Sequence, residues 1–164
     1  MHVRIAGPHD AASIAGIYNE GIAERTATFE TRPRGIDEIE TWFTGRHPVV
    51  VVEDHGDVFA FAMCSTYRPR ECYAGIAEFS VYVSANRRGC GAGRLAMTEL
   101  MRQAAAAGMW KLVSRVFTEN AASRSLLKSL GFREVGIYQK HAQLDGVWRD
   151  VVIVERLLDN QGLA

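Results

Sequence analysis

The run Val81-Tyr-Val-Ser-Ala-Asn-Arg-Arg-Gly-Cys-Gly-Ala-Gly93 places three glycines between a β-branched stretch and a segment of helical periodicity. A glycine-rich strand-to-helix loop leaves backbone N–H groups at a helix N-terminus, where the helix dipole favours an anion. Gly89, Gly91 and Gly93 remove the Cβ atoms that would keep a phosphate off those amides, and Arg87 and Arg88 add charge beside the same opening. Two nucleotide loops fail on these residues: no GxxxxGK precedes a Ser or Thr, and a GxGxxG begun at Gly89 or Gly91 meets Arg94 or Ala96 in place of its third glycine. Just upstream, Glu78 is the acidic residue of an otherwise apolar strand, Ile76 to Ser84. A partly buried carboxylate there suits a general base, which an ammonium needs before its nitrogen can attack an electrophile. An edge-strand Glu facing solvent is the alternative.

A second run, Phe117-Thr-Glu-Asn120-Ala-Ala-Ser123, opens a helix that closes on Leu130-Gly131-Phe132. Asn120 suits a helix N-cap, and Ser123 lies about one helical turn further on. Together with Arg88-Gly-Cys-Gly91-Ala-Gly93, this order and spacing resemble the GNAT acetyltransferase superfamily over nearly the whole chain. The resemblance implies acetyl-CoA as co-substrate, bound at Val81, Val83, Arg88, Gly89, Gly91, Gly93, Arg94, Asn120 and Ser123. It also implies an α/β fold, a mixed, mostly antiparallel central sheet with helices on both faces.

Four stretches are similar to one branch of that superfamily, the phosphinothricin, methionine sulfoximine and arsinothricin N-acetyltransferases. They are Ile17-Tyr-Asn19 with Thr28-Phe29 and Pro33; Tyr67-Arg-Pro-Arg70 with Tyr73; Ala77-Glu-Phe-Ser-Val-Tyr-Val-Ser84; and Gly146-x-Trp148-x-Asp150. The branch implies acetylation of the α-amino group of a glutamate analogue, with resistance by detoxification, Glu78 as base, and a homodimer. Arg68 and Arg70 flank Pro69 before the Glu78 strand, and guanidinium forks hold carboxylate or oxyacid oxygens bidentately; solvated loop arginines are the alternative. Tyr73 matches the branch beside them, and Phe29 and Trp148 would serve as apolar walls or as plain core. One position departs. Leu127 stands where many relatives carry a Tyr or His that protonates the leaving thiolate, so the expected donor is water, with Tyr138 and Tyr73 as weaker substitutes. Cys90 reads as a small loop residue. Two rivals stay open: another acceptor, such as a protein N-terminus or a polyamine, and a catalytically silent CoA-binding sensor.

The elements that must position these residues follow from periodicity. Short strands are expected at 2–5, 49–53, 58–65, 76–84 and 111–117, with a terminal hairpin of 132–144 and 147–157 turning at Asp145-Gly146. Helices are expected after Pro8, at 37–44, from about Arg94 to Ala107, and from Asn120 to Leu130. With 164 residues and no repeat or linker, 1–164 reads as a single domain. Lys plus Arg and Asp plus Glu are 19 each, so no global field draws the chain to nucleic acid or an anionic membrane. No apolar run spans a bilayer and the start lacks a signal peptide's pattern, so the expected location is the cytoplasm. The three cysteines and five histidines show no metal-ligand spacing, so no metal is expected.

Overall fold

Four consecutive valines, Val49 to Val52, carry no polar alternation and therefore need cover on both faces of a sheet. In the computed structural model, which describes residues 1–158, all four are buried. Of the expected domain 1–164, the stretch 159–164 lies outside the described residues. The strands are β1 (His2–Ile5), β2 (Val49–Asp54), β3 (Asp57–Thr66), β4 (Ile76–Val83), β5 (Lys111–Phe117), β6 (Arg133–Leu144) and β7 (Val147–Leu157). The helices are α1 (Ala11–Glu24), α2 (Ile36–Glu40), α3 (Ala92–Ala106) and α4 (Ala121–Ser129).

The seven strands form one sheet in the order β1-β2-β3-β4-β5-β7-β6, antiparallel except for the parallel pair β4–β5. The mixed, mostly antiparallel sheet matches the expected fold class. Helices α3 and α4 cover one face, where Val50, Ala62, Phe79, Leu112 and Val152 join the main core. On the other face Ile14, Ile17 and Ile39 pack on Val49, Val51 and Phe61. Helix α1 lies so close to β4 that a Cβ at Gly21 would stand 2.7 Å from the Tyr82 ring. The outer part of the sheet on that face is less covered: β6 is exposed along most of its length.

Boundaries moved in two places. α3 starts at Ala92, two residues before the expected Arg94, because Gly91 adopts the left-handed φ of +88° that ends the loop. The expected helix at 37–44 is a short α2 followed by a 3-10 turn over Thr41–Phe43.

One charge cluster ties the start of α1 to the edge of the sheet. Arg4 donates to both carboxylate oxygens of buried Asp10 at 2.8 Å and to Glu53 at 2.7 Å, while Asp10 also accepts the Gly7 amide at 2.9 Å. Burial pushes the Asp10 carboxyl up, but the Arg4 and Gly7 bonds outweigh it and hold it below its ordinary value; Arg4 lowers Glu53 likewise. Because both folded values are depressed, this stability is complete above the unfolded carboxylate range of about 4 and is lost as pH falls through the folded values. Arg4→Met is expected to cost roughly 2–3 kcal/mol near neutrality, less than a fully buried pair because Arg4 is part-exposed. Urea midpoints near pH 7 and in acid read the difference, and an equal loss at both would assign Arg4 a packing role instead.

Candidate active site

Parallel strands β4 and β5 pair only at Ile76↔Lys111, Ala77↔Leu112 and Glu78↔Val113. Beyond Glu78 each strand keeps its outer ladder, β4 with β3 up to Val83 and β5 with β7 up to Phe117. Each then follows the twist of its outer neighbour, and the two diverge. Ser114 Oγ donates across the opening to the Phe79 carbonyl at 3.0 Å. The Ser84 amide donates to Phe59 on the β3 side at 2.8 Å, and successive strand residues address opposite neighbours. The backbone N–H and C=O of Val81 and Val83 therefore face the opening, a row of donors and acceptors for an extended ligand with amides of its own.

On the α3/α4 face the opening runs into a groove of about 410 Å³. Val81 and Val83 line it from the end of β4, Arg88, Gly89 and Gly91 from the β4–α3 connection, Gly93 and Arg94 from α3, and Asn120 and Ser123 from the start of α4. All nine residues expected at a cofactor site are thus brought to one groove. Leu95 N–H reaches back to Gly91 at 3.1 Å, which leaves the amides of Ala92, Gly93 and Arg94 without intrahelical acceptors. Among the described residues no side chain caps this terminus. These amides and the helix dipole suit a phosphate. Gly89 and Gly91 have φ of +78° and +88° with open space above them, whereas a Cβ at Gly93 would come within 3.1 Å of Leu126. The first two glycines serve backbone conformation and the third lets α3 approach α4.

The flanking groups are partly pre-engaged. Arg88 donates to Glu24 at 2.8 Å and to the Val83 carbonyl at 3.2 Å, and Arg94 donates to Ser129 at 2.7 Å. Arg87, expected beside the same opening, turns away: its guanidinium lies 4.0 Å over the Phe59 ring and 3.4 Å from Asp54. Asn120 caps α4 by accepting the Ser123 amide at 3.1 Å. Cys90 lies outside the groove lining, its thiol donating to the Arg87 carbonyl at 2.9 Å.

On the opposite face a cavity of about 430 Å³ holds Glu78, Phe29, Tyr82, Arg115 and His141. A narrow passage of about 70 Å³, lined by Ser80, Ser114, Ser123 and Leu127 among others, shares residues with both spaces and so joins cavity to groove through the parted strands. Glu78 stands where the strands part, its side chain 29% exposed and ion-paired to Arg115. Phe29 packs edge-on against Phe117 with centroids 4.9 Å apart. Burial pushes the phenols of Tyr18 and Tyr82 up, so both stay neutral donors in the wall. Leu127, at the position that departs from the Tyr or His of the resemblance, is a buried core residue facing the passage.

The remaining expected acceptor residues do not line this cavity. Arg68 and Arg70 are exposed on the β3–β4 loop; Arg68 lies 5.1 Å over Tyr67, whose ring meets Tyr73 edge-on at 5.8 Å. Trp148 is half-exposed at the start of β7. Arg115 and His141, which carry no sequence signal, line the cavity beside Glu78. Arg115 alternates with Val116 as any solvent-facing strand residue would, and nothing local tells that it points at Glu78. His141 is delivered by a bulge in β6, where Lys140 has φ +47° and its amide is held by Asp150 at 2.8 Å. Among the described residues no three His, Cys, Asp or Glu side chains converge as a metal site, and no helix is long and apolar enough to cross a membrane.

Residues 15–132 match the acetyltransferase (GNAT) family. Over 162 residues the chain is 33% identical to an L-methionine sulfoximine/L-methionine sulfone acetyltransferase of Pseudomonas paraeruginosa, covering 96% of this chain and 94% of the relative. A GNAT superfamily phosphinothricin acetyltransferase from Sinorhizobium meliloti, crystallised in complex with acetyl-CoA, superposes with a TM-score of 0.87 at 30% identity, covering 95% of this chain and 87% of that one. A ribosomal-protein-alanine N-acetyltransferase from Brucella melitensis superposes with a TM-score of 0.91 at 30% identity, covering 96% and 100%. A seven-stranded sheet opened between β4 and β5, a family match across most of the length and relatives aligned nearly end to end agree that this chain is an acyltransferase of the GNAT family.

Proposed function

We propose that the protein transfers an acetyl group from acetyl-CoA to the α-amino group of a small amino acid, a glutamate analogue of the phosphinothricin, methionine sulfoximine or arsinothricin type. The observation that carries this reading is the passage through the parted strands, which joins an amide-lined groove to a cavity with a carboxylate at its mouth. The names of the relatives support the substrate class, and the acetyl-CoA complex of the Sinorhizobium meliloti protein supports the co-substrate. The groove residues fit that co-substrate: the amides at the start of α3 would hold its pyrophosphate, and the Val81 and Val83 backbone would pair with its pantetheine arm. Glu78 removes a proton from the acceptor ammonium, directly or through water, and the freed nitrogen attacks the thioester carbonyl. The nitrogen gives up its second proton to solvent as the C–S bond breaks, and with Leu127 in the passage the thiolate takes a proton from solvent in turn, leaving the amide and free CoA.

The active form in this reading is a cytoplasmic homodimer that detoxifies its substrate. Val135, Ile137, Tyr138, Val147 and Trp148 expose large apolar surface on the terminal hairpin, which suits a second copy. Arg68, Arg70, Tyr73 and Trp148 then meet the acceptor from the partner protomer, the arginines on its distal oxyacid. A cavity of about 430 Å³ suits a single amino acid better than a protein N-terminus.

A thermal-shift screen with acetyl-CoA, then thiol release against a panel of amino acids, polyamines and N-terminal peptides, tests the reading. Stabilisation without thiol release on any amine would make the chain a CoA-binding sensor. Arg70→Ala is expected to raise the acceptor KM by roughly 10- to 100-fold, as for a lost charge-assisted contact, and to spare the KM for acetyl-CoA. Equal effects on both would return Arg70 to a role in the fold.

A further inference from the structure

Arg115 is the only Lys or Arg among the described residues lining the acceptor cavity, and its Nη2 donates to Glu78 Oε1, the carboxylate expected to work as base. The two lie on neighbouring strands just where these part: Glu78 is in the last β4–β5 pair, and Arg115 lies two residues beyond Val113 on the same face. Its other arm, Nη1, stands 3.5 Å from His141 Nε2. The bulge at Lys140 sets His141 there, so the guanidinium rests between two groups that approach from opposite sides. The other acid in the lining, Glu30, is already paired with Arg34 at 2.5 Å.

An acceptor ammonium entering this cavity therefore finds its base occupied by another cation. The pair is half open to solvent, 29% for Glu78 and 46% for Arg115, and an ion pair so exposed is weak enough to exchange. What the entering molecule offers in return decides the exchange. An α-amino acid carries a carboxylate one carbon from its nitrogen, so the guanidinium fork passes to that carboxylate while the ammonium takes its place on Glu78; all four charges stay paired. A simple amine displaces Arg115 and leaves it unpaired beside a second cation, which the site resists.

We propose that Arg115 is a specificity-determining residue that masks Glu78 in the resting site and yields it only to an acceptor whose own carboxylate takes up the guanidinium. The inference rests on the reading of Glu78 as base and names the group that recognises the α-carboxylate, leaving Arg68 and Arg70 for the distal end of the acceptor.

The test compares the amino acid turned over fastest in the panel with the amine left when its carboxylate is removed, in the wild type and in Arg115→Ala and Arg115→Lys. The ratio of kcat/KM, amino acid over amine, is expected to fall about 10- to 100-fold in Arg115→Ala, the fold-change of a lost charge-assisted contact. The amine contributes by not falling, since its base is unmasked. Arg115→Lys recovers part of the ratio because a point charge replaces the fork, and the KM for acetyl-CoA stays unchanged in all three proteins. Equal losses for both acceptors, with the ratio unchanged, would overturn the proposal and leave Arg115 as a structural partner of Glu78. Failure of the underlying reading shows separately and earlier, as a wild type that turns over no amino acid, and the proposal falls with it.

Discussion

Glu78→Gln is expected to lower kcat by roughly 10²- to 10⁴-fold, the contribution of a general base, while acetyl-CoA binds as before. The substitution keeps the shape of the side chain and one oxygen that accepts from Arg115, so the cavity retains its form. It lies on the cavity face of β4, away from the lining of the groove, which is why co-substrate affinity should be indifferent to it. The pH dependence separates chemistry from damage. As pH rises a growing share of the acceptor is already the free amine and needs no base, so the deficit of the variant should shrink. Steady-state kinetics across neutral and alkaline pH read this directly; a deficit that is the same at every pH, or a Gln variant with unchanged kcat, would reject Glu78 as base.

Gly91→Val is expected to weaken acetyl-CoA roughly 10³-fold, because the amides of Ala92, Gly93 and Arg94 are aimed by a loop that needs φ of +88° at Gly91. Valine at that φ is strained, so some stability goes with it and binding loss alone would prove little. The molecule supplies its own control. Gly56, in the β2–β3 turn, has φ +85° and likewise no atom within 4 Å of where a Cβ would stand, yet it does not line the groove. Gly56→Val should lower Tm by a similar amount and leave acetyl-CoA affinity intact. Calorimetric titration of both variants decides it: if both lose affinity alike, general destabilisation is responsible; if neither does, the loop is not the phosphate site.

The groove is legible in the sequence because its residues belong to two short stretches whose behaviour is local. Positive φ at Gly89 and Gly91, the cap at Asn120 and the start of α3 follow from glycine's lack of a Cβ and from the unpaired amides of a helix end. The hairpin turn is equally local: Asp145 and Gly146 have φ of +50° and +78°, the pair of left-handed residues that an Asp-Gly turn predicts. Arg87 shows where that kind of reasoning stops. It is adjacent to Arg88 in the chain, but the Phe59 ring and Asp54 on other strands capture it on the far side of the loop.

The acceptor cavity is the part that the sequence did not determine. Alternation placed Glu78, Ser80 and Tyr82 together on one face of β4, since successive side chains of a strand point oppositely. The parting of β4 from β5 has no local code. It arises because β4 stays with β3 and β5 stays with β7 after Glu78, a competition among four strands from separate parts of the chain. The pairing of Arg115 with Glu78, 37 residues away, follows from that parting, and His141 reaches the same cavity only because a bulge shifts the register of β6 against β7. Arg68, Arg70, Tyr73 and Trp148 mark the same boundary from the other side. Their types suit the acceptor, but a side chain's type says what it can bind, whereas its distance from the reacting atoms is set by how loop and hairpin are carried on the sheet, and in this fold they are carried outside the cavity lining.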